Sequence, residues 1–321
     1  MKQEKNVKGL DPYCAAVVQA MKEAGRPQAF EVPVEEARAN YRALPIAMGG
    51  EEEVLASVED RVIPSDAGDI PIRIYRADGE NLPILVFYHG GGWVIGDLET
   101  HDKLCRAITR RTGCMTVAVD YRLAPEHRFP AAVDDSFCAL NWVAENAAAI
   151  GGDPNRIAVG GDSAGGNLSA VMALMARDAG GPKLALQLLI YPATAAERNS
   201  PSHLAMPDAP VLSKETMDFF YSSYVGDQDE VAYDFRLAPM EAADHSGLAP
   251  AEILVAGFDP LRDEGIAYGE KVKSAGGQAN VTNYGGMIHA FTQMAGALPV
   301  AHQAIDHCSS ALRRAFGLTA P

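Results

Sequence analysis

The amino-acid sequence predicts an α/β protein: a central, mostly parallel eight-stranded sheet with helices on both faces and a helical cap. Three observations predict it. Eight short β-rich runs are present, the later ones alternate with helical stretches, and one long proline-bearing segment interrupts the alternation.

The elements follow in chain order. Val17, Ala20 and Met21 trace one helical face, and Val34, Ala37, Tyr41 and Leu44 repeat it at three- and four-residue steps, so two amphipathic helices precede any strand. The β-rich runs are 54–64, 70–76, 84–88, 115–120, 156–160, 185–190, 252–257 and 280–284. The first two are separated only by Ser65-Asp66-Ala67-Gly68-Asp69 and are expected to form an antiparallel hairpin at one sheet edge. Helical stretches at about 101–112, 131–148, 165–178, 263–275 and 299–315 then make parallel βαβ units with the later strands. Residues 195–247 carry several prolines and the helical segment Ser213–Gly226, and are read as an insertion that joins the N-terminal helices as a lid. The expected division is 1–50 for the N-terminal part of the cap, 51–194 for the first part of the core, 195–247 for the cap insertion and 248–321 for the rest of the core.

Composition narrows the function classes. At roughly 150 residues per domain, 321 residues allow one α/β core or two units, and 48% apolar with 21% charged residues excludes disorder and coiled coil. Forty-two acidic against 27 basic residues leave a net charge of −15, which repels phosphate backbones and anionic headgroups. Nucleic acid and membrane are therefore not expected partners. Five scattered cysteines without a C-x-x-C pair suggest reduced thiols and no zinc knuckle. With no signal-peptide pattern and no long apolar run, a cytoplasmic location is expected.

The strongest local signal is Gly161-Asp162-Ser163-Ala164-Gly165, directly after a strand and directly before a helical run. Strand before and helix after is the context of a nucleophile elbow, in which small neighbours let a serine occupy a sharp, strained turn. Ser163 is the candidate nucleophile. The competing reading is a glycine-rich helix entrance with a capping serine. His89-Gly90-Gly91-Gly92-Trp93 follows another strand, and its glycines leave backbone N–H groups unshielded. Gly91, Gly92 and Ala164 are the candidate donors to an oxyanion. His89 and Asp162 are assigned to supporting that loop and turn. The alternative is a flexible or anion-binding turn; a nucleotide site is disfavoured because neither glycine cluster fits a phosphate-binding pattern.

A serine hydroxyl needs a base and an acid that orients it. Of eight histidines, His289 has the best context, in a glycine-containing loop after the last strand. His302 and His307 read as surface or packing residues, His101, His127 and His203 as residues of connecting segments without an obvious partner. Asp244-His245-Ser246 is rejected, since neighbours in sequence cannot align as a relay. Asp259 follows a strand end, where catalytic groups of parallel sheets gather, and is the candidate acid. Asp263 is the fallback; Asp263 and Glu264 are otherwise expected to cap or charge-stabilise the first turn of the next helix. The order Ser163, Asp259, His289 is that expected of a nucleophile-elbow fold.

Taken together, His89–Trp93, Tyr121–Glu126, Gly161–Gly166, Asp259–Gly265 and Ile288–Phe291 resemble the hormone-sensitive-lipase-like (bacterial family IV) carboxylesterases, from about residue 55 to the end and more loosely through the N-terminal helices. The resemblance implies an α/β-hydrolase fold with an eight-stranded core, a helical cap, and hydrolysis of short- or medium-chain acyl esters without cofactor or metal. It places the nucleophile on Ser163, the acid on Asp259, the base on His289 and the oxyanion donors on Gly91, Gly92 and Ala164. A small-molecule ester is the implied partner, and a homodimer is suggested by the same resemblance.

Trp93, Phe219, Phe220, Tyr221 and Tyr224 are candidates for an apolar pocket, with ordinary packing of the cap helices as the alternative for each. Tyr121–Glu126 is read as scaffold beside the site, with Arg122 and Glu126 a candidate ion pair. Two other functions stay open: a non-catalytic small-molecule receptor, for which His289 would be dispensable, and an amidase or acyltransferase using the same triad.

Overall fold

The computed structural model describes residues 9–228 and 231–319; residues 1–8 of the expected N-terminal part, 229–230 of the expected insertion and the last two residues lie outside this description. Eight strands form one sheet: β1 (Ser57–Ile63), β2 (Ile70–Arg76), β3 (Leu82–Tyr88), β4 (Met115–Val119), β5 (Gly152–Asp162), β6 (Leu184–Ile190), β7 (Ala251–Phe258) and β8 (Ala279–Ile288). Their order is β1-β2-β4-β3-β5-β6-β7-β8. The pairs β1–β2 and β2–β4 are antiparallel, and every pair from β4 to β8 is parallel. All eight β-rich runs fall within or across a strand.

The continuous apolar runs have a physical reason. All seven residues of β3 are buried, because helices cover both faces of a parallel sheet. Ile84, Val86 and Tyr88 pack with α4 (Ala131–Asn146) and α5 (Ala164–Asp178) on one side. Leu85 and Phe87 point the other way, toward α3 (Leu98–Thr112) and α9 (Pro299–Ala315). A third cluster joins α8 (Arg262–Ser274), through Tyr268 and Val272, to Ile253 and Val255 of β7.

Before the sheet come α1 (Pro12–Ala24) and α2 (Val34–Met48). Asp11 caps α1 by accepting the Tyr13 N–H at 2.9 Å, while its own N–H bonds Gly286 O in β8 at 3.0 Å. The face that α1 buries is Cys14, Val17 and Val18; Ala20, expected on that face, is exposed. The segment after β6 holds α6 (Pro201–Ala205) and α7 (Lys214–Val225). Helix α7 packs against a short 3-10 turn, Ala29–Glu31, between α1 and α2. Residues from before β1 and after β6 therefore meet over the strand ends that carry the glycine loop. No helix among the described residues is long and apolar enough to cross a membrane.

Candidate active site

Strand register brings the candidate residues together. Tyr88 of β3 stands opposite Gly161 of β5, and Phe258 of β7 opposite Ile288 of β8. The next residues in each chain leave the sheet at the same edge: the glycine loop after β3, Ser163 after β5, Asp259 after β7 and His289 after β8.

Ser163 has φ 54° and ψ −117°, a region that costs a non-glycine residue of order 1–3 kcal/mol. Its neighbours hold it there. Ser163 N–H bonds Ile190 O at 2.8 Å, and Ser163 O accepts the Asn167 N–H at 3.0 Å. The flanking glycines are forced by one carbonyl: a Cβ on Gly161 would lie 2.2 Å from Tyr88 O, and one on Gly165 only 1.9 Å from it. Ser163 itself is half-buried at the head of α5, whose first N–H groups carry partial positive charge.

His289 Nε2 is 2.9 Å from Ser163 Oγ, and its Nδ1 donates to Asp259 Oδ2 at 2.6 Å. Asp259 is fully buried, and its other oxygen accepts the Leu261 N–H at 2.9 Å. The Tyr191 ring lies 4.8 Å from the His289 ring, and its hydroxyl bonds Thr292 at 2.5 Å. The imidazole is thus placed between a carboxylate and a hydroxyl, with both nitrogens engaged.

In the glycine loop, Gly91 (φ 125°) and Gly92 (φ 60°) adopt left-handed backbone, and Gly91 O accepts the N–H groups of Val94 and Ile95. A Cβ on Gly92 would sit 2.2 Å from the Phe220 ring of α7. Gly90 N–H is already used by Asp162 Oδ1 at 2.9 Å. His89 stacks on Tyr121 at 4.3 Å and donates from Nδ1 to Gly90 O at 2.8 Å. Burial, and next the nearby His101, push the His89 imidazole down to about 4, so it is neutral at neutral pH.

Of the other aromatic candidates, Trp93 and Tyr224 are buried and stack at 4.7 Å. Tyr224 is a packing residue. Phe220 is also buried, while Phe219 and Tyr221 are half-buried, Tyr221 beneath the Arg198 guanidinium at 4.4 Å.

The family model for the alpha/beta hydrolase fold matches residues 85–293. The chain belongs to this family. Carboxylesterase NlhH of Mycobacterium tuberculosis is 48% identical over 265 residues, covering 81% of this chain and 83% of that one. The ethyl acetate hydrolase of Pseudomonas putida is 33% identical over 318 residues, 95% of this chain and 99% of that one. An ester hydrolase from the metagenome of Lake Arreo, solved with a derivative of bipyridine phosphonate, superposes with a TM-score of 0.93 at 40% identity, over 96% of this chain and 99% of that one.

In this α/β hydrolase several sequence expectations are corrected. His101 is not in a partnerless connection: it lies in α3, buried, with Nε2 3.0 Å from Asp162 Oδ1. His203 is buried in α6, 3.4 Å from Glu264. Arg122 and Glu126 do not pair. Arg122 is bidentate to Asp135, and Glu126 is held by Arg38 of α2. Asp263 accepts from Arg262 in the first turn of α8. Glu264 instead turns inward, accepting the Thr194 N–H at 2.5 Å and the Ala195 N–H at 3.3 Å. As expected, Asp244-His245-Ser246 forms no relay: His245 bonds Pro239 O. Gln293, absent from the sequence candidates, binds both Asp162 and His101 at 2.8 Å. Nothing in a lone glutamine after a strand signals such contacts.

Proposed function

We propose that this α/β hydrolase is a serine carboxylesterase that hydrolyses short- to medium-chain acyl esters of small molecules through an acyl-enzyme intermediate. The single observation that carries the reading is the unbroken hydrogen-bonded series Asp259–His289–Ser163 at adjacent strand ends. Ester-hydrolase relatives support it.

Ser163 Oγ attacks the ester carbonyl carbon as His289 Nε2 takes its proton. The carbonyl π electrons become an oxyanion, received by the N–H groups of Gly91, Gly92 and Ala164. Collapse breaks the bond to the alcohol oxygen, which leaves with the proton from His289. A water attacks the acyl-enzyme, giving His289 a proton, and the second collapse returns that proton to Ser163 and frees the acid. Asp259 stays ionised, fixes the Nδ1–H tautomer and stabilises the imidazolium.

His89, neutral and stacked on Tyr121, serves as a support for the glycine loop rather than as a base. The N-terminal helices and residues 195–247 form the cap, and Phe219, Phe220 and Tyr221 of α7, with Trp93 below, border the acyl or alcohol pocket. Hydrolysis rates over p-nitrophenyl esters from acetyl to dodecanoyl, with intact-mass detection of a phosphonate adduct, test the assignment. The expected result is fastest turnover at short to medium chains, one adduct on Ser163, and a loss of about a thousandfold or more in Ser163→Ala. Wild-type turnover in a folded Ser163→Ala protein would sink it.

A further inference from the structure

Beneath the glycine loop lies a buried polar chain that the acyl-transfer steps do not use. Tyr41 Oη, on α2, donates to Gln293 Oε1 at 3.0 Å; Gln293 Nε2 donates to Asp162 Oδ2 at 2.8 Å; Asp162 Oδ1 accepts the Gly90 N–H at 2.9 Å. Parts of the molecule far apart in sequence thus converge on one peptide, immediately before the two assigned oxyanion donors. The amide orientation follows from chemistry. An ionised carboxylate only accepts, so the glutamine nitrogen faces Asp162 and its oxygen is left for the tyrosine hydroxyl.

His101 braces the chain from α3. Its Nδ1 is 2.8 Å from Thr100 Oγ1, and its Nε2 lies 3.0 Å from Asp162 Oδ1 and 2.8 Å from Gln293 Nε2. Asp162 and His101 are each 1% exposed and Gln293 5%. Burial acts to raise the Asp162 carboxyl, yet His101, Gln293 and the Gly90 N–H outweigh it and hold the group below its ordinary value. A buried carboxylate is tolerated only with its acceptor sites filled, so the Gly90 peptide is tied as firmly as the charge it satisfies. Gly91 and Gly92 have no side chains to orient them. They are held at one end by the tied Gly90 peptide and at the other by the turn in which Gly91 O accepts the Val94 and Ile95 N–H groups.

We propose that Gln293 is a positioning residue: through Tyr41 and Asp162 it links the seating of helix α2 to the orientation of the Gly90–Gly92 loop, and so to stabilisation of the oxyanion. The inference rests on the ester-hydrolase reading above. Its consequence is that a hydroxyl on α2, remote from the reacting carbonyl, affects the transition state more than substrate binding.

Tyr41→Phe and Gln293→Leu are compared with wild type on p-nitrophenyl butanoate, with active sites counted by phosphonate titration and inhibition measured with an aliphatic trifluoromethyl ketone, whose adduct bears an oxyanion. A full oxyanion donor is worth about a hundred- to a thousandfold, so a misdirected one is expected to lower kcat per titrated site about tenfold in Gln293→Leu and about threefold in Tyr41→Phe. KM should stay within about twofold, and the ketone Ki should rise by the factor that kcat falls. A packing role alone would lower the melting temperature and the titratable fraction while leaving kcat per site and Ki at wild-type values, and that outcome overturns the proposal. Should Gln293→Leu not fold, Tyr41→Phe, which removes one hydroxyl, decides by the same criteria. Turnover retained in Ser163→Ala would defeat the underlying function; turnover lost there, with both other variants unchanged, defeats only the positioning role.

Discussion

Ser163 shows what a single residue requires of its surroundings. Its positive φ is held by hydrogen bonds on both sides, and Gly161 and Gly165 are small because both crowd the Tyr88 carbonyl. Gly165→Ala must push that carbonyl or the start of α5 aside, and a loss of about 2–4 kcal/mol in urea-unfolding free energy is expected; an unchanged midpoint would contradict the steric account. Asp259→Asn is expected to fold, because an amide oxygen can still accept the Leu261 N–H. The amide cannot hold the same His289 tautomer, so kcat should fall by about ten thousandfold, by analogy with the serine-protease triad, in steady-state assays at neutral pH. These residues were legible because each stands next to a strand end in a motif with a steric or chemical requirement. His101 and Gln293 were not, because their partner Asp162 is brought to them only by the folded sheet.

At the scale of elements, long amphipathic or apolar runs announce themselves and short ones do not. Helix α6 has five residues, too few for a helical period, and what fixes it is polar: Ser200 caps it, and Ser202 Oγ donates to Pro260 O at 2.6 Å while accepting the Asp263 N–H at 3.1 Å. Those contacts staple the insertion to the loop bearing Asp259. Ser202→Ala leaves a buried carbonyl without its donor and should lower the unfolding free energy by about 1–3 kcal/mol, read from denaturant titration; no change would mean the staple carries no weight. Strand ends were also obscured. β5 begins at Gly152, where Asp153, Pro154 and Asn155 mask a strand, and β8 continues through Gly285 and Gly286. Helix α3 starts at Leu98 rather than 101 because Asp97 and Thr100 form a capping box.

For the molecule as a whole, the acidic composition conceals a carboxyl whose folded form prefers its proton. Burial, opposed by the Thr194 and Ala195 N–H groups and reinforced by Asp259, lifts Glu264 from 4.5 to about 8. His203 beside it is lowered, chiefly by burial, so the pair favours its neutral forms. An acid with a raised folded pKa contributes stability that is complete below its unfolded value and is lost as pH climbs through the folded one. Wild type should therefore lose stability relative to Glu264→Gln between about pH 4.5 and 8, measured by urea unfolding across that range. Parallel pH dependence of the two proteins would remove Glu264 as the cause. The sheet was the most legible feature at this scale, since alternating apolar strands and helices admit few arrangements. How α2, α6 and α7 settle on the strand ends was not, because irregular connections have no period to read.

The ring of Phe220 occupies the space where Gly92 would otherwise bear a Cβ. Loop and insertion are therefore matched like a tenon and its mortise. Transplanting another enzyme's segment in place of 195–247 alters the seat of the glycine loop as well as the shape above it. A chimera that supplies no ring there opens a void beside the backbone amides, so an altered substrate profile in such a hybrid reports on both at once.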